Sequence, residues 1–309
     1  MSLEVAVPCA VLSAVSYGVA TAMQHRVAYT GSGKGDARGL LRLLSEPRWL
    51  LSVFGDGIGL ALQAVALSTG PVVLVQPLLV LALPVSLPVG WALGGRRPSR
   101  GDYLACAGIL LALGTFFAIV GDPGGAITLT PGSAGLVTLV ATGAGVVACA
   151  FVRHATPTVR AVVYGVVAGA AFGVVGVLLD ATSRTVQQLG WHALRAPSGV
   201  VPLVGLALVG TLAVIITQVS FQVGPLGASF PANEIAAPVV AVVLGASVLH
   251  ERVPASPAAV TAYGACLLGV LAATIWLARA WSSPGNGPGT SGSHLEGSPL
   301  RAARRSDRP

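Results

Sequence analysis

Nine apolar stretches, each close to 20 residues long, divide this chain at about 3–23, 49–69, 71–94, 102–121, 132–152, 159–181, 199–222, 226–248 and 257–280. A helix rises 1.5 Å per residue, so about 20 residues cross a hydrocarbon core of roughly 30 Å. In lipid every backbone polar group must be satisfied within the protein, which leaves helices or closed barrels. Unbroken apolar runs of this length read as helices. The chain is 54% apolar and only 9% charged, whereas about a quarter of the residues of a soluble domain are charged. Its 40 glycines and 21 prolines would count against helix in water. They are tolerated in membrane helices, where neighbours re-satisfy freed backbone groups. The first stretch has no basic segment before it, carries Glu4 and lacks a small-x-small cleavage site, so it reads as a retained span.

A pattern about sixty residues long occurs twice. Gly70-Pro71 is followed by Pro77 and Pro84, and Gly224-Pro225 is followed at the same spacing by Pro231 and Pro238. Each copy leaves its apolar helix through a short charged turn, Arg96-Arg97-Pro98-Ser99-Arg100 or His250-Glu251-Arg252. Tyr103 and Cys106, or Tyr263 and Cys266, then open the next helix. Repeated broken helices in a membrane protein point to a secondary transporter whose halves rock about a shared site. The expected fold is an all-α integral membrane protein with about nine transmembrane helices in two inverted-topology repeats. The transmembrane unit is expected over 1–281, with halves at about 1–121 and 132–281. Pro77, Pro84, Pro231 and Pro238 are the expected helix breaks or hinges.

The net charge of +7 follows from topology, and no nucleic-acid partner is expected. With the C-terminus inside, 15 of the 18 basic residues fall on cytoplasmic segments, leaving only Arg184, Arg195 and Arg252 outside. This is the positive-inside bias. It places the N-terminus outside, the C-terminus in the cytoplasm and the protein in the cytoplasmic (inner) membrane as a multi-pass chain. Segment 282–309, rich in Gly, Ser, Pro and Arg, lacks the large apolar residues needed to fold and is expected to be a disordered cytoplasmic tail. Trp49, Trp91 and Trp281 fall at span ends, as interfacial anchors do.

Several motifs fail on context. Gly287-x-Gly289-x-x-Gly292 lies in the tail, with neither the strand nor the helix that a dinucleotide site needs. Gly33-Lys34-Gly35 lacks the first glycine and the Ser/Thr of a phosphate loop. Cys9, Cys106, Cys149 and Cys266 all lie within spans and form no C-x-x-C, so they read as small packing residues. No nucleophile and base are grouped. Neither an enzyme nor a cofactor is expected.

The informative residues are those whose polarity costs energy at bilayer depth. An acid at a helix centre costs about 2.5–3.5 kcal/mol on insertion scales and is a functional candidate by default. Glu234 lies near the midplane of the eighth stretch, on one face with Pro231, Pro238, Ala241 and Gly245. The matching position of the first copy is Val80. Asp56 lies in the second stretch with Ser52, Gly59, Gln63 and Ala66 on its stripe. The candidate substrate or coupling-ion residues are Glu234, Asp56, Asn233, Gln63, Gln218 and Tyr164. A structural role, each acid neutral and hydrogen-bonded, is the competing reading. Asp122 and Asp180 sit at span ends and are expected at the interface. Gly165, Gly169, Gly173 and Gly176 form a small-residue run suited to close helix packing.

Two segments carry a resemblance. One runs from Gln63 through Gly70-Pro71 to Gln76-Pro77. The other runs from Ala237-Pro238 through Gly245 to the His250-Glu251-Arg252 turn. In order and repetition the chain resembles the EamA-like branch of the drug/metabolite transporter superfamily. Its nine spans are similar to the variant found in magnesium transporters of the NIPA type. The resemblance implies alternating access around a central cavity and leaves the substrate open. Three readings follow. The first is a secondary transporter of a small polar or cationic solute, ion- or proton-coupled. The second is a magnesium or divalent-cation transporter. The third is a non-transporting membrane scaffold. The partners expected are the lipid bilayer and a small-molecule or ion substrate, with a homodimer left open.

Overall fold

The computed structural model describes residues 2–30, 47–94, 97–121, 123, 127–223 and 226–281. The Gly224-Pro225 pair, Asp122, Arg96, the loop over 31–46 and the tail over 282–309 lie outside the described residues. All described secondary structure is helical. The helices are α1 (Leu3–Thr30), α2 (Pro47–Thr69), α3 (Val72–Leu78), α4 (Ala82–Ala92), α5 (Arg100–Val120), α6 (Pro131–Phe151), α7 (Pro157–Leu189), α8 (Pro197–Val223), α9 (Leu226–Ser247) and α10 (Pro257–Trp281). A 3-10 turn at Leu79–Leu81 joins α3 to α4, which together make one crossing, and a second at Gly190–Leu194 follows α7. Among the described residues nine helical segments are long and apolar enough to cross a membrane.

Hydrogen bonds tie together the ends that alternating crossings bring to one face. Ser2 N–H donates to Thr69 O, Ile127 N–H to Leu249 O and Arg252 N–H to Pro123 O. Helix starts are set locally. Ser99 and Asp102 form a capping box on α5, and Thr130 accepts from Ser133 N–H ahead of Pro131 on α6. Large apolar residues such as Phe151, Leu104, Leu111, Leu139 and Val147 face outward. In water such a surface would be a liability. Here it is the face turned to lipid.

Inside, α1 packs on α2 and on α3–α4, while α7 packs on α8 and α9. Helix α5 packs on α10, and α6 packs against α7 and α8. Small residues set close approaches between helices. A Cβ on Gly18 would stand 2.7 Å from Ala82 O and 2.9 Å from Val85 Cβ. A Cβ on Gly173 would stand 2.6 Å from Ala237 O and 2.9 Å from Val240 Cβ. Gly165 and Gly169 likewise meet the α9 backbone, at Ser229 O and Asn233 O. Only the absence of a side chain lets these helices touch at the main chain. The seam between α1 and α2 is polar instead. Ser13 donates to Gly59 O (2.7 Å), Ser16 to Gly55 O (2.8 Å) and the Tyr17 hydroxyl to Gln63 Oε1 (2.9 Å).

One expectation is refined: Asp180 does not end its helix, since it is fully buried within the bundle and α7 continues past it to Leu189. The polar residues that seemed to end the span stay helical by turning back on their own backbone. Thr182 donates to Leu178 O, Ser183 to Asp180 O and Thr185 to Ala181 O.

Candidate functional site

Glu234 lies in α9 and is partly buried. One turn earlier Phe230 packs on the cluster of Val80, Leu83, Leu87, Ile109, Ala273 and Leu277. Two turns later Ala241 is buried with Val75 and Leu78. Residues at these spacings share a helix face, so Glu234 lies on the face of α9 that turns toward α3–α4. Among the described residues it forms no hydrogen bond or ion pair. Its neighbour Asn233 is buried with its backbone carbonyl against Gly169. Tyr164, also buried, lies one helix away on α7 with the Arg160 guanidinium 5.9 Å from its ring centroid. A cation over an aromatic face is favourable, by about 0.5–1 kcal/mol where exposed and more where desolvated.

Asp56 and Gln63 belong to a second group, on the seam between α1 and α2. Gln63 is buried and accepts from Tyr17, and Asp56 lies within electrostatic reach of the same tyrosine. Gln218 is exposed on α8. The helix breaks divide. The chain departs from α-helix at Leu79–Leu81, between Pro77 and Pro84, whereas α9 runs through Pro231 and Pro238 without interruption. Among the described residues no three His, Cys, Asp or Glu side chains converge as a metal site would require.

A third polar group was not singled out in the sequence. Glu251, in the turn between α9 and α10, is buried and accepts from Val72 N–H through Oε1 and from Val73 N–H through Oε2, both at 2.7 Å. These are orphan donors at the start of α3, where Pro71 supplies no side-chain cap. Asp180 and Arg184, one turn apart on α7, form an ion pair with Nε–Oδ1 at 2.8 Å. The same guanidinium donates through Nη2 to Gly70 O at 3.0 Å. Burial pushes the Glu251 carboxyl up. The N–H groups of Val73 and Val72 and the Arg184 charge act in the opposite direction. The i,i+4 spacing of Asp180 and Arg184 was a legible ion-pair signal. The reach of Glu251 across 179 residues to Val72 was not.

The fold defines a class: a multi-pass, all-helical membrane protein with acids embedded in its bundle. Over 295 aligned residues the chain is 30% identical to an uncharacterized protein of Corynebacterium glutamicum, covering 90% of this chain and 96% of that relative. The chain belongs to the family of that protein. No family model matches it, and no solved structure matches it.

Proposed function

We propose that this protein is a secondary transporter that moves a small polar or cationic solute by alternating access between two inverted halves, with Glu234 as the binding or coupling carboxylate. The observation that carries the reading is the paired packing of the halves. Gly18 of α1 meets α4 at Ala82 and Val85, and Gly173 of α7 meets α9 at Ala237 and Val240, with near-identical distances. All three residues are displaced by the same 155 positions. A duplicated unit explains this, since a scaffold has no need for two matched helix crossings. Consecutive crossings alternate direction, so units separated by five crossings enter from opposite faces. The basic residues support an external N-terminus and a cytoplasmic C-terminus in the cytoplasmic membrane.

Glu234 supplies the chemistry. It lies on the face of α9 that turns to the other half, and among the described residues no cation neutralises it. An embedded acid of that kind binds a cationic solute when ionised and carries a proton when neutral. Divalent-cation transport has less support, because magnesium is bound through several oxygens, usually including carboxylates, and no three His, Cys, Asp or Glu side chains converge among the described residues. Uptake and resistance profiling of cells with and without the protein tests the reading across amino acids, cationic drugs and divalent metals. A solute whose flux follows expression supports it. Flux that responds only to magnesium replaces it with the metal reading, and a profile unchanged across the panel argues for a scaffold.

A further inference from the structure

The group at the start of α3 joins four parts of the chain. Gly70 ends the α2 crossing, Val72 and Val73 start α3, Asp180 and Arg184 come from α7, and Glu251 comes from the turn after α9. Its charges do not balance: two carboxylates face one guanidinium. Asp180 is fully buried, Glu251 nearly so, and Asp180 lies within electrostatic reach of Glu251. Asp180 Oδ2 is buried with no hydrogen-bond partner. The Gln76 side chain lies against Gly176, one turn from Asp180 on α7, and its Nε2 is also buried without a partner. A buried group with an unpaired negative charge is costly unless something neutralises it.

We propose that Asp180 and Glu251 together bind one proton, and that this proton keeps the turn after α9 latched onto the start of α3. Both Glu251 oxygens already accept a backbone N–H, so a proton there would weaken one of these bonds. Asp180 Oδ2 can take the proton without breaking any contact. Arg184 then neutralises Glu251, and the group carries no net charge. When the proton leaves for solvent the group carries one negative charge, the two carboxylates repel, and Glu251 comes off Val72 and Val73. The proton belongs to the pair, since the two acids titrate together. The other helices packed here add no competing charge among the described residues. Helices α3 and α8 carry no acidic or basic residue, and Asp56 and Glu234 lie several turns away along α2 and α9. Glu4, His250 and Arg252 lie near this end of the bundle and are exposed.

Hydrogen exchange of the full-length protein in lipid nanodiscs, followed by mass spectrometry across a pH series and corrected for intrinsic rates, reads the latch at the amides of 72–76. The wild type is expected to lose protection there in a single step as pH rises. Asp180→Asn, fixed in the neutral form, is expected to lose the step and stay protected throughout. Glu251→Gln is expected to be less protected than the wild type at low pH. His250→Asn is expected to keep the step. A wild type with no step overturns the proposal, as does a step that survives in Asp180→Asn or disappears in His250→Asn. If Asp180→Asn does not fold, infrared difference spectra of Glu234→Gln, which removes the other embedded acid of interest, decide: a protonated-carboxyl band lost over the same pH interval supports the proposal, and its absence overturns it. No substrate is needed, so the outcome is independent of the transport reading.

Discussion

The crossing made by α3 and α4 and the crossing made by α9 start from the same proline spacing and end as different objects. In the first, every residue from Val72 to Leu78 is buried, and the helix gives way to a 3-10 turn at Leu79–Leu81. The second is one helix from Leu226 to Ser247, mostly half-buried, with an acid where the first has Val80. Each proline removes one backbone donor, so each crossing has carbonyls with no helical partner. The first carries Pro77, Pro84 and Pro88 and yields; the second carries Pro231 and Pro238 and does not. Its backbone is braced at the glycines of α7. Matched spacing therefore marks where a crossing can bend, and the neighbours decide whether it does. The apolar copy serves as structure, and the polar copy holds the group that can do chemistry.

The sharpest way to break this comparison is to deny α9 its support. Gly169→Val puts a branched side chain into the Asn233 carbonyl. It is expected to cost about 3 kcal/mol or more, since backbone cannot give way as a side chain can. Loss of monodisperse protein on size exclusion would show it, and an unchanged elution and melting profile would refute the packing. Exchanging the distinguishing residues comes next. Val80→Glu places an acid among Leu83, Leu87 and Ile109 and is expected to cost about 3 kcal/mol. Glu234→Leu is expected to leave the melting temperature within a few degrees of wild type. Equal effects from the two exchanges would mean that the copies are chemically alike.

A smaller effect is expected at the cap. Glu251→Gln keeps its shape and weakens two charge-assisted hydrogen bonds, for an expected loss of about 1–3 kcal/mol. Because burial raises this carboxyl, the folded group holds the proton it shares with Asp180 more tightly than the unfolded chain does. The stability that shared proton adds is therefore complete below the unfolded value and is lost as pH rises through the folded one. Melting curves across pH that fall more steeply for wild type than for Glu251→Gln would agree, and parallel curves would not. The smallest effect is expected at Pro77→Ala, which restores one donor near the 3-10 turn and changes stability by about 1 kcal/mol or less.

The nine crossings were legible in the sequence because length and hydropathy are local properties, and the helical segments fall within a few residues of the apolar stretches. The exceptions were the end of α1, which runs on to Thr30, and the end of α7. There Thr182, Ser183 and Thr185 looked like a polar exit, yet they satisfy their hydroxyls on the preceding turn. Glu234 and Asp56 were visible as acids inside apolar runs. Their separation onto different seams was not, because spacing along one helix says nothing about which neighbour it faces. Gln218 shows the same limit: it was a candidate for its polarity within a span, and it lies on the exposed side of α8. Glu251 was hidden for a further reason. A charged turn after a span is ordinary, and only the fold brings it to the bare helix start behind Pro71.

The central claim is that α9 carries the working carboxylate. Its most direct test is solute flux in proteoliposomes containing equal amounts of wild type or Glu234→Gln, measured across a pH series with the solute found by profiling. Glutamine keeps the size and the hydrogen-bonding capacity and removes titration. The account predicts normal insertion, flux reduced to background or uncoupled from the driving ion, and a flat pH dependence. Flux at the wild-type rate with the wild-type pH profile would contradict it and would leave Glu234 a structural residue, with Asp56 next to be tested in the same way.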